Sequence, residues 1–299
     1  MRVFASNPAR LLSRPSRWMV VILLAGLVAC NETPSPPSVP ATPPEAMAEV
    51  AVPGNSLLYA VAWKQTAAEF RALYHQGFNM ARAQVAAALA NRDQNAKPLA
   101  VITDLDATTL LTLDYWGYLV SQNLEFFDDS LWDQWVPDNT VLASPGALEF
   151  LRFCAENGVE VFYVSNRDQG EETERYALAQ LERLDFPFRD SAHVTVNRES
   201  SDKQVVQERI MEDYEVVVLL GDNLNDFSRR YYVTDVEQRE ALMSEDSALF
   251  GSRYILFPNP TDGHWIRAIF GDSEPPDTPE NRAILRQAAM RSVWNPSTP

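Results

Sequence analysis

The sequence predicts an α/β fold: a parallel sheet with helices on both faces, carrying a small, mostly helical cap. Three observations predict it. Runs such as 99–103, 159–164 and 215–220 are almost wholly apolar, as strands covered on both faces are. Helical patterns alternate with those runs along the chain. Three of the runs stop abruptly at polar residues, namely Asp104/Asp106, Ser165/Asn166 and Asp222/Asp226. In an open α/β sheet the ligand crevice lies outside the carboxyl ends of the strands, where these residues fall.

The chain has 299 residues, 46 % of them hydrophobic, and a formal charge of −16. That length holds one large core or two modest ones. No stripe of Lys and Arg interleaves with aromatics, so no nucleic-acid polymer is expected as a partner. An acidic surface repels polyanions. Small or locally neutralised substrates follow, and an enzyme for phosphates needs a cation of its own.

Residues 1–29 read as a signal peptide. Arg2, Arg10, Arg14 and Arg17 make a basic start, and Trp18 to Val28 an apolar stretch too short for a stable membrane span. Leu27-Val28-Ala29-Cys30 resembles a bacterial lipobox, which implies lipidation of Cys30; an ordinary cleaved signal with an incidental Cys is the alternative. Residues 30–54 then form the lipid-bearing Cys and a Pro-rich tether that cannot bury a core and runs extended. Cleavage removes four Arg and no acids, taking the formal charge from −16 to −20. The expected address is the cell envelope, as an exported lipoprotein held to a membrane through Cys30. Asn31 is not the Asp that retains lipoproteins at an inner membrane, so the outer membrane is expected if the organism has one. The other cysteine, Cys154, has no partner and falls in an apolar helical pattern, so it belongs to the core.

Residues 55–98 are an N-terminal helical segment. From Ser56 to Asn91 the apolar residues Leu57, Tyr59, Val61, Trp63, Phe70, Leu73, Tyr74, Phe78 and Met80 fall at helical spacing; the aromatics among them pack against the main domain, a ligand box being the alternative, and Gly77 marks a kink or a close contact. Residues 99–270 form the core. Its first strand is followed by an insertion of about 110–143, whose Trp116, Tyr118, Phe126, Phe127, Trp132 and Trp135 read as short helices and loops capping the strand end. Those aromatics fill the cap or stack on a substrate. Pro145 and Gly158 bracket a helix at 147–157. Then follow a strand at 159–164, an amphipathic helix at 171–184, a strand at 193–196 and a helix at 202–214 that starts near Lys203. Strands at 215–220 and 253–257 complete the core. Residues 271–299 are a Pro-rich tail with one short helical stretch.

Period-two alternation places Asp104 and Asp106 on the same side at a strand end. Two close carboxylates repel, so one stays ionised while the other holds a proton more easily. That suits a nucleophile beside an acid/base, and equally a hard divalent cation; an Asp-rich turn is the plain alternative. Ser165 with adjacent N–H groups suits phosphate oxygens, and Lys203 suits charge on a transferring phosphoryl group. A Lys at a helix start opposes the helix dipole, which argues for another use.

These residues together resemble the four motifs of haloacid dehalogenase-like phosphohydrolases: Asp104-x-Asp106-x-Thr108, the strand closing in Ser165-Asn166-Arg167, Lys203 before the next strand, and Gly221-Asp222-Asn223-x-x-Asp226. Their wording is similar to the class C nonspecific acid phosphatases, or lipoprotein acid phosphatases. The likeness runs from about Leu57 to about Phe270 and includes residues 59–66 and Leu256-Phe257-Pro258-Asn259-Pro260. The resemblance implies a metal-dependent acid phosphatase. Asp104 attacks phosphorus, and Asp106 protonates the leaving alcohol and then activates water. Ser165, Asn166 and Lys203 bind phosphate. Asp104, the backbone carbonyl of Asp106, and Asp222 hold Mg²⁺, and Asp226 orients Lys203 or a metal-bound water. Small phosphomonoesters are the expected substrates, and a homodimer stays open as an assembly state.

The chain departs from the family at Ala107, where Glu is usual, at Leu111-Thr112, where an acid–amide pair is usual, and at Thr261-Asp262, where an aromatic commonly follows Pro-Asn-Pro. A narrower 5′-nucleotidase of the same fold and a non-catalytic surface lipoprotein are the competing readings. No Arg-His-Gly surrounds His75, His193 or His264, and no Gly-x-Ser-x-Gly elbow is present, which argues against histidine phosphatases and serine hydrolases.

Overall fold

The computed structural model describes residues 54–93 and 96–295; the signal peptide, Cys30 and the tether as far as residue 53 lie outside them. The chain opens with helices α1 (Leu58–Thr66) and α2 (Ala68–Ala90), then strand β1 (Leu99–Thr103). The insertion follows as β2 (Leu110–Leu111), α3 (Leu113–Ser121), α4 (Asp129–Trp135) and β3 (Leu142–Ala143). The core resumes with α5 (Ala147–Glu156), β4 (Glu160–Asn166), α6 (Thr173–Arg183), β5 (Val194–Asn197), α7 (Gln204–Asp213) and β6 (Glu215–Gly221). It ends with α8 (Val236–Glu245), β7 (Tyr254–Leu256), α9 (His264–Phe270) and α10 (Pro279–Ala289).

The main sheet has the order β5-β4-β1-β6-β7, and its paired neighbours all run parallel. β1, the first core strand, therefore lies at the centre, flanked by β4 and β6. That places the carboxyl ends of all three side by side. Alternate side chains of β1 enter different cores. Leu99 and Val101 pack with Phe70, Tyr74 and Phe78 of α2 and Phe150 and Leu151 of α5. Ala100 and Ile102 pack on the other face, with Val206 and Ile210 of α7 and Leu242 of α8. Helices thus cover both faces, as the apolar strands predict. The β1–β6 register slips between Ala100 and Val101, so that Val217 is an extra residue and joins Val218 on the α2 side.

The helical pattern at 56–91 is not one helix. It breaks at Ala67, whose ψ of 129° is extended, because its two halves serve different partners. α2 packs on the sheet, whereas Leu57 and Val61 at the start of the segment pack with Tyr115, Trp116, Leu119 and Trp132 of the insertion; Tyr59 and Leu73, counted with them by spacing, face outward and are exposed. Gly77 marks a close contact rather than a kink, since α2 runs on unbroken and a Cβ there would lie 2.5 Å from the Phe257 ring. The insertion opens and closes on one two-stranded antiparallel ribbon, with Leu110 opposite Ala143 and Leu111 opposite Leu142. Cys154 is buried in the main core and unpaired.

Candidate active site

β1 stops at Thr103, and the turn after it is tied down from several sides. The Asp104 N–H donates to Leu220 O of β6 at 3.0 Å. The Thr109 hydroxyl donates to Asp104 O at 2.7 Å, and Leu110 N–H to Leu105 O at 2.7 Å. Ala107 has a φ of +55°, in the left-handed region that costs a Cβ-bearing residue, and the buried Tyr74 hydroxyl on α2 donates to its carbonyl at 2.5 Å. Since the strand ends before Asp104, period-two alternation does not govern the two acids, and they take different partners.

Asp104 faces Lys203, whose Nζ donates to Asp104 Oδ1 at 2.5 Å and to Asp226 Oδ1 at 2.7 Å. All three are buried. Burial raises the Asp104 carboxyl to about 6; Asp226 and Asp106 add to that rise and Lys203 opposes it. Burial pulls the Lys203 ammonium down, but Asp104 and Asp226 more than offset this and hold it above the ordinary range. Asp226 is fully engaged, since its Oδ2 accepts the Asn223 N–H at 2.9 Å and so closes a capping box after β6. Gly221 is what lets it close, because a Cβ there would meet the Asp226 carboxylate at 2.4 Å.

Asp106 turns to Arg167, which donates to both of its oxygens at 2.6 and 2.7 Å. Ser165 is buried at the end of β4 and lines the same cleft as Asp104, Asp106, Asn166, Lys203, Asp222 and Asp226. Asn166 is held by the following loop, donating to Ser201 O at 3.4 Å and accepting from Asn197 Nδ2 at 3.2 Å. The expected site residues of the described part therefore meet in one cleft of about 300 Å³ at the strand ends. Trp116, Phe127 and Trp132 of the insertion form its apolar wall.

The donor chemistry at the base of the cleft fits a hard dication. Carboxylate oxygens of Asp104, Asp222 and Asp226 lie within 4.8 Å of one another. Burial, then the charges of Asp226 and Asp104, push the Asp222 carboxyl well above the usual carboxylate range. Oxygen-only ligands beside open space suit a cation that keeps water and substrate oxygens, as Mg²⁺ does. The third convergent carboxylate is Asp226 rather than Asp106, whose side chain belongs to Arg167.

Several residues in or around the cleft have no assigned task in the sequence reading. Arg167 directly follows Ser165-Asn166, so its position carried a signal. Asn259, within Pro-Asn-Pro, donates to Asp222 Oδ2 at 2.7 Å. The Asn223 amide contacts His264 Nδ1 at 2.7 Å. Burial, together with Arg239 and Lys203, lowers His264 to about 3, so its imidazole is neutral.

Comparison with known proteins adds to this geometry. The sequence model of one family, described as "HAD superfamily, subfamily IIIB (Acid phosphatase)", matches residues 43–265. Solved structures similar to the chain include two of class C acid phosphatases. A class C acid phosphatase from Bacillus anthracis is 30 % identical with a TM-score of 0.73, over 79 % of this chain and 97 % of that one. A structure of a class C acid phosphatase from Bacillus anthracis with tungstate bound is 29 % identical, with the same TM-score and coverage.

Proposed function

We propose a reaction course on one premise: the chain belongs to the acid phosphatases of HAD superfamily subfamily IIIB, enzymes acting on small phosphate esters. The observation that carries it is the contact of Lys203 with both Asp104 and Asp226, with Asp222 converging on the same point. Ser165, Asn166 and Lys203 hold the phosphate oxygens. Asp104 attacks phosphorus, and the bond to the ester oxygen breaks while Asp106 delivers a proton to the leaving alcohol. Asp106 then takes a proton from water, the water attacks the aspartyl-phosphate, and inorganic phosphate leaves with Asp104 regenerated. Arg167 holds the ionised Asp106 carboxylate in one plane, and one of its two bonds gives way when Asp106 carries the proton. Asp104, Asp222 and the backbone carbonyl of Asp106 would hold Mg²⁺, which when bound screens the repulsion between these carboxylates and the substrate phosphate.

The apolar wall of Trp116, Phe127 and Trp132 favours esters with a flat leaving group, and it keeps the narrower nucleotidase reading alive. Export as a lipoprotein anchored through Cys30 is the proposed address, supported by the lipobox-like Leu27-Val28-Ala29-Cys30 and the tether after it. Loss of membrane fractionation in Cys30→Ser checks that part.

The reaction is tested by phosphate release from aryl, alkyl and nucleoside monophosphates, with Mg²⁺ and with chelator. Asp104→Asn is expected to show no turnover while melting as a folded protein. Near-normal rates in that variant reject the nucleophile, and full activity after every divalent ion is stripped rejects the cation.

A further inference from the structure

Lys64 is 2 % exposed, and the reaction above gives it no task. It sits on α1, far in sequence from the loop it reaches. Its Nζ donates to Thr261 Oγ1 at 2.8 Å and to Asn259 Oδ1 at 3.3 Å, and lies 5.4 Å from the centre of the Trp116 ring. Burial lowers its ammonium to about 8, with Asp222 and Asp262 acting the other way, so the group is charged at neutral pH.

The Asn259 carboxamide links this ammonium to the acids. Its oxygen also accepts the Thr261 N–H at 3.3 Å and the Thr261 hydroxyl at 2.9 Å, while that hydroxyl accepts from Lys64. With the oxygen surrounded by donors, the amide NH₂ is turned to Asp222 and donates to its Oδ2 at 2.7 Å. The other oxygen, Asp222 Oδ1, accepts from Thr108 at 3.2 Å. A lysine ammonium carries donors and no acceptor, so it tolerates only this orientation of the amide. The flipped amide would aim its oxygen at a carboxylate oxygen.

We propose that Lys64 is a positioning residue: acting through Asn259, it fixes the orientation of Asp222, so that the N-terminal helix completes the cation site. The inference rests on the cation site proposed above. Simple electrostatics has the opposite sign, since deleting a buried positive charge beside Asp222 would tighten cation binding. The direction of the change therefore separates the two roles.

The experiment is calorimetric titration of the full chain with Mg²⁺ at pH 7, for the wild type, Lys64→Met, Asn259→Leu and the double variant, with circular dichroism reporting the fold. Each single change is expected to weaken Mg²⁺ binding by about 10- to 100-fold, as losses behind a metal ligand do. The double variant is expected to bind no worse than Asn259→Leu alone, because Lys64 acts only through the amide. Should Lys64→Met fail to fold, Thr261→Val keeps the charge but loosens the clamp, and a smaller weakening is expected. Unchanged or tighter binding in Lys64→Met (in Thr261→Val where that variant stands in), or losses that add in the double variant, overturns the proposal. A wild-type chain that binds no Mg²⁺ overturns the cation site and this inference together, whereas Mg²⁺ binding without phosphate release overturns only the reaction.

Discussion

Arg167 grips Asp106 through two parallel bonds, Nε to Oδ2 at 2.6 Å and Nη2 to Oδ1 at 2.7 Å. The planar fork fixes the carboxylate in a way that a lysine would not. Nη1 of the same guanidinium donates to Gln180 Oε1 on α6 at 2.8 Å, and the Gln180 amide donates to Val136 O at 3.3 Å, at the end of α4. The proposed acid is thus aimed by the core and the insertion together.

This arrangement predicts a dependence on the leaving group. Asp106→Asn is expected to slow alkyl phosphates by a factor on the order of 10²–10⁴, the usual worth of a general acid. The loss should be smaller for p-nitrophenyl phosphate, whose phenolate departs unaided. Arg167→Leu should show the same pattern less strongly. Equal losses across a leaving-group series would remove Asp106 from the role of acid.

Stability should depend on pH and cation together. Burial, Asp226 and Asp106 raise the Asp104 carboxyl from 3.8 to about 6 in the folded chain. Between those values the folded protein keeps a proton that the unfolded chain has released, so cation-free stability falls as pH rises through that window. Asp222 acts in the same direction. A bound dication offsets the repulsion, so Mg²⁺ should raise Tm more at pH 7 than at pH 5. Thermal melts with Mg²⁺ and with chelator check this, and a larger shift at pH 5 would contradict it.

Gly221→Ala should damage both stability and activity. A Cβ at this position falls 2.4 Å from Asp226, the residue that pairs with Lys203. Overpacking of this kind costs about 1–3 kcal/mol. Urea unfolding should show that loss, and phosphate release should drop with it. A variant as stable and active as the wild type would show that Asp226 has room to move.

Cys154 should be silent in the native protein. Burial pushes its thiol up to about 12, leaving little thiolate at neutral pH. A thiol reagent should label it only as fast as the chain unfolds. Rapid labelling in buffer would mean that the α5 region opens locally.

The strand ends are legible in the residue order because hydrophobicity changes there within one or two positions, and a central parallel sheet has one rim where those ends gather. Asp104, Ser165 and Asp222 are found this way. The break at Ala67 is not legible, because nothing in the apolar spacing says that Val61 and Phe70 face different partners. Lys64 and Asn259 fall in stretches that carry the family likeness, but their contact and their task are not legible, for a related reason. Their value lies in a contact between segments about two hundred residues apart, and no local pattern records it. Arg167 stands between these cases, since it adjoins a recognised motif but its partner, Asp106, sits in the turn after another strand.

Because Leu110 and Leu111 pair directly with Ala143 and Leu142, the chain leaves the rim and returns to it at one fixed doorway. The two pairs hold the entry and the exit of the insertion together beside the acids on the threshold. Changes on the cleft-facing side of that roof can therefore alter what fits beneath it, while the two ribbon pairs and the Val136 carbonyl moor it to the hearth.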